Sequence, residues 1–315
     1  MAAAPRNRFG DAPILAARPP RNAVDPRRPY AYLVEPERNA RGEIVDVATL
    51  FLTNRECPFR CLMCDLWKNT LTEPVAAGDI PEQIRWGLAQ LPPAREIKLY
   101  NSGNFFDRKA IPPEDYAAIA ELVRGFDTVI VENHPNLSDA ACVRFRDLIA
   151  PATLEIALGL ETVHPEVLPA LNKRMTLDDF RRAVEFLLDA EITVRAFILL
   201  RPPFLDEAAG VEWALRSLEF AFSLGVGCCS VIPTRAGNGI MEQLRRDGLF
   251  APPTLRSAEG VLETGIDMRR GRVFLDLWDL ESLADCPKCG PARIQRLRRM
   301  NLSQAVLPAV SCECH

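Results

Sequence analysis

The sequence predicts an α/β protein: a partial (β/α)6 TIM-like barrel with a small C-terminal cysteine-rich module. Three observations lead there. Six short β-rich runs alternate with longer helical stretches, the pattern of a parallel sheet with crossover helices. The first of these strands runs into a cysteine-rich loop and not into G-x-G-x-x-G, which disfavours a dinucleotide-binding wrap. Charged residues also recur on one phase of several strands, where a barrel would direct them into its lumen.

The strands are expected at 48–53, 96–100, 127–132, 154–159, 193–199 and 228–233, and the helices at 81–91, 113–124, 138–149, 176–190 and 207–224. The helix over 176–190 is the clearest. Thr176 and Asp179 have capping-box spacing, and Phe180, Val184 and Leu187 share one face. In the second strand Ile97 and Leu99 suit a helix-covered outer face, leaving Lys98 and Tyr100 inward. In the fourth, Ile156, Leu158 and Leu160 face outward while Glu155, Ala157, Gly159 and Glu161 face inward; Arg195 shares the inward phase in the fifth. A lumen holding Lys98, Glu155, Glu161 and Arg195 is either a set of contacts for charged ligands or an ion-pair set that closes the barrel. Unpaired buried charge is too costly for any third use.

The barrel is expected over residues 46–240, preceded by a Pro/Arg-rich arm (1–45) and followed by a Cys/Arg-rich module (241–315). At 315 residues and 48% hydrophobic, the chain can bury a full-sized core. Its net charge of −4 excludes a protein that coats a polyanion, so any nucleic-acid contact needs a local basic patch. No apolar run reaches 18 residues, so no membrane span or membrane partner is expected. The arm lacks the apolar core of a secretory signal. Its Arg and Ala content faintly resembles a transit peptide, but Asp11 and the prolines oppose an amphipathic helix. A flexible arm or a strap over the domain is expected, in a cytoplasmic protein. Ten cysteines in such a reducing setting point to metal or redox chemistry in preference to disulfides.

Cys57, Cys61 and Cys64 form C-x3-C-x2-C within eight residues. A [4Fe-4S] cube normally takes four cysteines. Three on one loop leave one iron open for chemistry, as catalytic zinc sites keep one open position. The alternatives are a zinc site completed from a distance and incidental buried thiols, and the clustering argues against the latter.

The stretch "CPFRCLMC" after the first strand resembles the cluster loop of radical S-adenosylmethionine (radical SAM) enzymes. So does the stretch over 158–203, with G-x-E at the fourth strand, a following "LNK", a T-x-x-D helix start and a Pro-containing turn after the fifth strand. These features are similar to the branch holding methylthiotransferases, the elongator acetyltransferase subunit and oxygen-independent coproporphyrinogen dehydrogenase. "VENHP" (131–135) and "IPTRAGNG" (232–239) also fit, so the resemblance covers roughly residues 48–240. It implies that S-adenosylmethionine chelates the open iron. Reduction of the cluster, by a flavodoxin- or ferredoxin-like electron donor, then cleaves the sulfonium to a 5′-deoxyadenosyl radical that abstracts hydrogen from a substrate. On the same resemblance Glu161 makes the acidic contact to the cofactor, and Ser102, Gly103 and Asn104 hold its amino group. Two positions depart from the family pattern. The usual Gly-Gly-Glu is "NSGNFFD" here, without the carboxylate, and Met63 stands where an aromatic residue commonly touches adenine. Arg195, with Lys98 and Glu155, is a candidate for carboxylate contacts. "YNSGNFFD" with "RPPF" is similar to a smaller branch that includes the radical SAM subunit of archaeosine tRNA synthesis.

Cys286 and Cys289 form C-x2-C, and Cys312 and Cys314 form C-x-C. Four such thiolates can close a structural zinc tetrahedron or hold an auxiliary iron–sulfur cluster, and the ligand set does not select between them. His315 is an optional substitute ligand. Arg293, Arg296, Arg298 and Arg299 lie between the two cysteine pairs, as a solvated helix face or a phosphate-binding patch for RNA. The expected function is therefore a radical SAM enzyme acting on a substrate the sequence does not specify. The alternatives are an enzyme of that kind modifying tRNA, and a non-catalytic iron–sulfur or zinc scaffold.

Overall fold

The computed structural model describes residues 9–314, so residues 1–8 of the arm and His315 lie outside it. Eight strands form one sheet in chain order: β1 (Ala31–Arg38), β2 (Ile44–Phe51), β3 (Glu96–Tyr100), β4 (Thr128–Asn133), β5 (Thr153–Glu161), β6 (Thr193–Leu200), β7 (Cys228–Pro233) and β8 (Arg272–Leu275). The β1–β2 pair is antiparallel and every later pair is parallel. The sheet curls into a partial barrel with β1 and β8 as its edges. Among the described residues no helix is long and apolar enough to cross a membrane.

Strands β2 to β7 are the six expected from sequence. The two additional strands sit outside the 46–240 stretch, and each is a weak local signal. β1, "AYLVEPER", carries Pro36 and two glutamates, which suit an edge strand but not a sequence pattern. β8 has only four residues and gains its order from pairing with β7.

The outer phase of the strands builds the main core. Leu50, Ile97, Leu99, Ile156, Leu158, Leu160, Val194, Ile198 and Val231 are buried in one cluster with the covering helices. The helix Leu177–Asp189 begins with the Thr176–Asp179 capping box and buries Phe180, Val184 and Leu187. Residues of the C-terminal stretch, including Leu255, Val261, Leu262, Ile294, Leu297 and Met300, belong to the same cluster. That stretch therefore shares the barrel's core.

The helix Gly290–Ser303 covers the free edge of β8. The N–H groups of Val273 and Leu275 donate to Gln304 Oε1 (2.8 Å) and Asn301 Oδ1 (3.0 Å), and the two side-chain amides donate back to the carbonyls of the same residues at 2.8 and 2.9 Å. On its other side, Arg38 of β1 donates to the carbonyl of Leu302. Side-chain amides thus satisfy an edge that would otherwise present open backbone groups, and one helix spans the gap between the two edge strands.

The inner phase is charged and paired. Arg195 bonds Glu37 at 2.6 Å and Glu155 at 2.7 Å; Arg272 bonds Glu155 at 2.9 Å; Lys98 bonds Glu37. Arg195, Glu155 and Lys98 are almost wholly buried. Burial opposes ionisation of Glu37 and Glu155, yet the neighbouring cations, Arg195 foremost, hold both carboxyls below their ordinary range.

Replacing Arg195 by Met should lower unfolding free energy by roughly 3–5 kcal/mol, because Glu37 and Glu155 each lose a buried partner. Urea unfolding measures it. Since both carboxyls titrate lower in the folded chain, their contribution is fully present above the ordinary carboxyl value of about 4.3 and is lost as pH falls below it. The acid side of the stability curve should flatten in the variant.

Candidate functional site

The loops that follow the parallel strands meet at one rim. Cys57, Cys61 and Cys64 lie on the loop after β2, and three neighbouring loops hold that loop in place. Asn172, after β5, donates to the carbonyl of Arg60 at 2.8 Å, and the N–H of Leu62 donates to the carbonyl of Leu171 at 2.8 Å. Asn238, after β7, donates to the carbonyls of Leu62 and Cys64 at 2.8 and 3.1 Å. The loop after β3 approaches closely: Asn104 Nδ2 donates to Cys57 Sγ at 3.1 Å, and a Cβ on Gly103 would touch the Cys57 Cβ at 3.5 Å.

The three cysteines are half-buried. Burial pushes Cys57 up, pushes Cys61 up to about 12 and raises Cys64 further, the thiols also opposing one another's ionisation. The ammonium of Lys173 acts in the opposite direction on Cys57 and Cys61. Backbone N–H groups of Phe59 and Leu66 point at Cys57 and Cys64 respectively.

Glu161 ends β5 beside a register shift and has a left-handed backbone, with φ of 65°. Its carboxylate bonds Lys173 Nζ at 2.7 Å, in a pair that is nearly buried. The G-x-E spacing has a steric reason here: a Cβ on Gly159 would collide with both Glu161 Oε1 and Lys173 Nζ. Ser102 is likewise left-handed at φ 52°, and its hydroxyl shares a 2.8 Å hydrogen bond with Tyr30. Non-glycine residues held in this region are strained, and such strain tends to collect at functional positions.

Glu132, His134, Lys173 and Tyr30 join this rim through contacts that local sequence does not reveal. Glu132 Oε1 accepts the N–H groups of Asn101 at 2.7 Å and Gly103 at 3.2 Å, so a carboxylate from the next strand holds the "NSGN" turn. Burial lifts this carboxyl to about 7 against those donors. His134 Nδ1 accepts the N–H of Asn136, so Nε2 carries the proton and donates to the Lys173 carbonyl at 3.0 Å. Its ring stacks on Phe59 of the cysteine loop, centroids 3.7 Å apart. His134 thus pins the loops after β2, β4 and β5 together, and burial, aided by Lys173, lowers it to about 3. Glu132 and His134 fall within "VENHP", which is the signal that sequence carries for them; Tyr30 in the arm has none.

The arm is a strap across this rim. Ile14 is buried with Leu62, Ile240, Met241, Leu244 and Phe250, and Arg18 and Arg21 both reach Glu56, next to Cys57. Met63 and Phe204 each pack against both of two small apolar clusters. Arg195, by contrast, is engaged deeper in the lumen with Glu37 and Glu155. Arg293 and Arg296 are turned inward onto Glu259 and Glu263, leaving Arg298 and Arg299 exposed on that helix. Cys286, Cys289, Cys312 and Cys314 converge, their sulfurs all within 4.8 Å of one another.

Residues 52–211 match the sequence model of the radical SAM superfamily. An uncharacterized protein of Methanocaldococcus jannaschii is 24% identical, across 93% of this chain and 87% of its own. Archaeosine synthase subunit beta of Methanosarcina acetivorans is 27% identical, across 81% of this chain and 77% of its own. Among solved structures, Elp3 of Methanocaldococcus infernus superposes with a TM-score of 0.52 at 15% identity, over 70% of this chain and 59% of that one, which is a likeness of fold.

Because His134 titrates lower when folded, its neutral form stabilises the chain above about pH 6.5, and that contribution is lost as pH falls toward about 3. Each such histidine steepens the decline by up to about 1.4 kcal/mol per pH unit. His134→Phe keeps the stack on Phe59 and should give a shallower decline between pH 6.5 and 4.5 in urea unfolding. An unchanged slope would show that the ring is not buried neutral.

Proposed function

Because the chain belongs to the radical SAM superfamily, we propose that it is an iron–sulfur enzyme in which Cys57, Cys61 and Cys64 hold a [4Fe-4S] cluster and the surrounding rim holds S-adenosylmethionine. The observation that carries this reading is the convergence of three half-buried thiols with two strained, left-handed residues, Ser102 and Glu161, at one end of the barrel. The donor set fits such a cluster: the ligands are soft thiolates, and Asn104 together with the N–H groups of Phe59 and Leu66 directs hydrogen bonds at two of the sulfurs. When bound, the cluster and S-adenosylmethionine supply one-electron cleavage of the sulfonium and, from it, hydrogen abstraction.

The chain's own residues bind and orient. Burial of the three thiols disfavours free thiolates, so ligation releases protons, and Lys173 offsets negative charge at Cys57 and Cys61. The Ser102–Asn104 turn, held by Glu132, offers polar groups at a fixed position for an amino group. Glu161 presents a carboxylate that Gly159 leaves room for and Lys173 steadies. Met63 offers a polarizable apolar surface for adenine. An electron donor of the flavodoxin or ferredoxin kind supplies the reducing equivalent. Arg195, Lys98 and Glu155 serve this reading best as the floor of the lumen, since each is already paired.

A nucleoside in RNA is the proposed substrate class. The named relative, archaeosine synthase subunit beta, aligns over most of both chains and supports it. Exposed cations on the C-terminal side that could meet phosphate include Arg269, Arg270, Arg298 and Arg299. tRNA retention should therefore weaken as salt rises, with a shallower logarithmic slope once these four are replaced by Gln.

Anaerobic reconstitution with iron, sulfide and reductant should yield 5′-deoxyadenosine from S-adenosylmethionine, and joint replacement of Cys57, Cys61 and Cys64 by Ala should abolish it. Sustained production by the triple variant would sink the reading. Glu161→Gln and Gly159→Ala should each weaken S-adenosylmethionine binding, read by calorimetry, with iron content unchanged. Unaltered affinity in both would reduce Glu161 to a structural ion pair.

A further inference from the structure

Four cysteines far from the barrel rim in sequence remain outside that chemistry. Their sulfurs all lie within 4.8 Å of one another, and Cys289 Sγ stands 3.6 Å from Cys314 Sγ. Four thiolates around one zinc at about 2.3 Å each are about 3.8 Å apart, the edge of the tetrahedron. Thiolates on separate irons of a cube are spread farther, because each sits outside its own corner. The spacing therefore suits a single ion.

The local backbone is arranged for negative charge. Cys286-Pro-Lys-Cys289 makes a turn closed by the Gly290 N–H to the Cys286 carbonyl at 2.9 Å. The N–H groups of Lys288 and Cys289 point at Cys286 Sγ. Cys289 is the N-cap of the 14-residue helix Gly290–Ser303, whose positive dipole end favours a thiolate-bound ion of net negative charge.

The other two ligands come from a tail that turns back along the same helix. Arg296 anchors it, with Nε donating to the carbonyls of Leu307 and Pro308 at 3.1 and 2.8 Å. Beyond these contacts most of residues 305–314 are exposed or half-exposed, so the tail buries little apolar surface of its own. The helix it returns along is the one whose end covers the β8 edge through Asn301 and Gln304.

We infer that Cys286, Cys289, Cys312 and Cys314 hold one tetrahedral Zn²⁺, which ties the C-terminal tail to the helix Gly290–Ser303 and secures the element that spans the open side of the barrel. Each thiol loses its proton to solvent as the metal binds, no electron moves, and binding is coupled to the ordering of the tail. The ion is structural: all four positions are filled by protein thiolates, which leaves none for a substrate.

The test uses the full chain with its loop iron reconstituted. Metal analysis of wild type beside Cys312→Ser/Cys314→Ser should show loss of about one zinc with loop iron unchanged. Co²⁺ exchanged into the wild type should give the intense visible spectrum of tetrahedral tetrathiolate cobalt, which the double variant lacks. Amide exchange at Val273 and Leu275, whose N–H groups rest on Gln304 and Asn301, should quicken in the variant and in chelated wild type while β3 to β5 stay protected. Loss of about four irons from the variant would replace the zinc by a cluster. Equal zinc in both proteins, or a Cys289–Cys314 disulfide in reduced wild type, would overturn the site. Because the loop cysteines are untouched, none of these outcomes depends on the radical SAM chemistry.

Discussion

Five strands meet on one set of charges. Glu37 of β1 takes both Arg195 of β6 and Lys98 of β3, and Glu155 of β5 takes Arg195 and Arg272 of β8. The first and last strands of the sheet are thus drawn to the same buried centre although no backbone ladder joins them. Buried ions are costly unless every one is paired, so the curl of the sheet has to bring these groups together. An open, flatter sheet would leave Glu37 on one side and Arg272 on the other.

That centre also divides the lumen. The paired charges fill its lower part, where an apolar core would otherwise be needed, and the upper rim is left to loops. At the rim, the order comes from side chains that bind more than one loop. His134 joins three of them, Glu132 holds the turn after β3, and Asn172 and Asn238 grip the cysteine loop by its carbonyls. Loops fixed in this way can hold Ser102 and Glu161 in strained backbone conformations, since relaxing either would break bonds made by its neighbours. For the proposed chemistry such rigidity serves orientation, which is much of what a protein contributes to a cofactor-borne reaction.

The C-terminal stretch plays a structural part that its composition conceals. Its helix is rich in arginine, yet Arg293 and Arg296 neutralise Glu259 and Glu263 on the neighbouring helix, and Ile294, Leu297 and Met300 join the barrel's own core. Covering the β8 edge with amides keeps that edge from pairing with another chain. The proposed metal tie would act on the same helix from its other end, so that edge protection and tail order become one cooperative unit.

The sequence by itself determined the alternation that builds β2 to β7, the helix starting at Thr176, the cysteine loop after the first parallel strand and the inward phase of Lys98, Glu155 and Arg195. These are local patterns with periods of two or 3.6 residues, readable within a dozen positions. Tertiary structure decided what the patterns could not. Glu37 lies in a Pro-containing arm with no strand signal, and only its pairing with β2 places it beneath Arg195, so the choice between ligand contact and barrel floor was invisible in either strand alone. Glu132 could not be read as the support of the "NSGN" turn because it sits about thirty positions away, a separation bridged by the β3–β4 register and by no spacing rule. The arginines of the last helix show the same limit: whether a cation faces phosphate or a carboxylate depends on which helix packs opposite, and packing is a property of the whole fold.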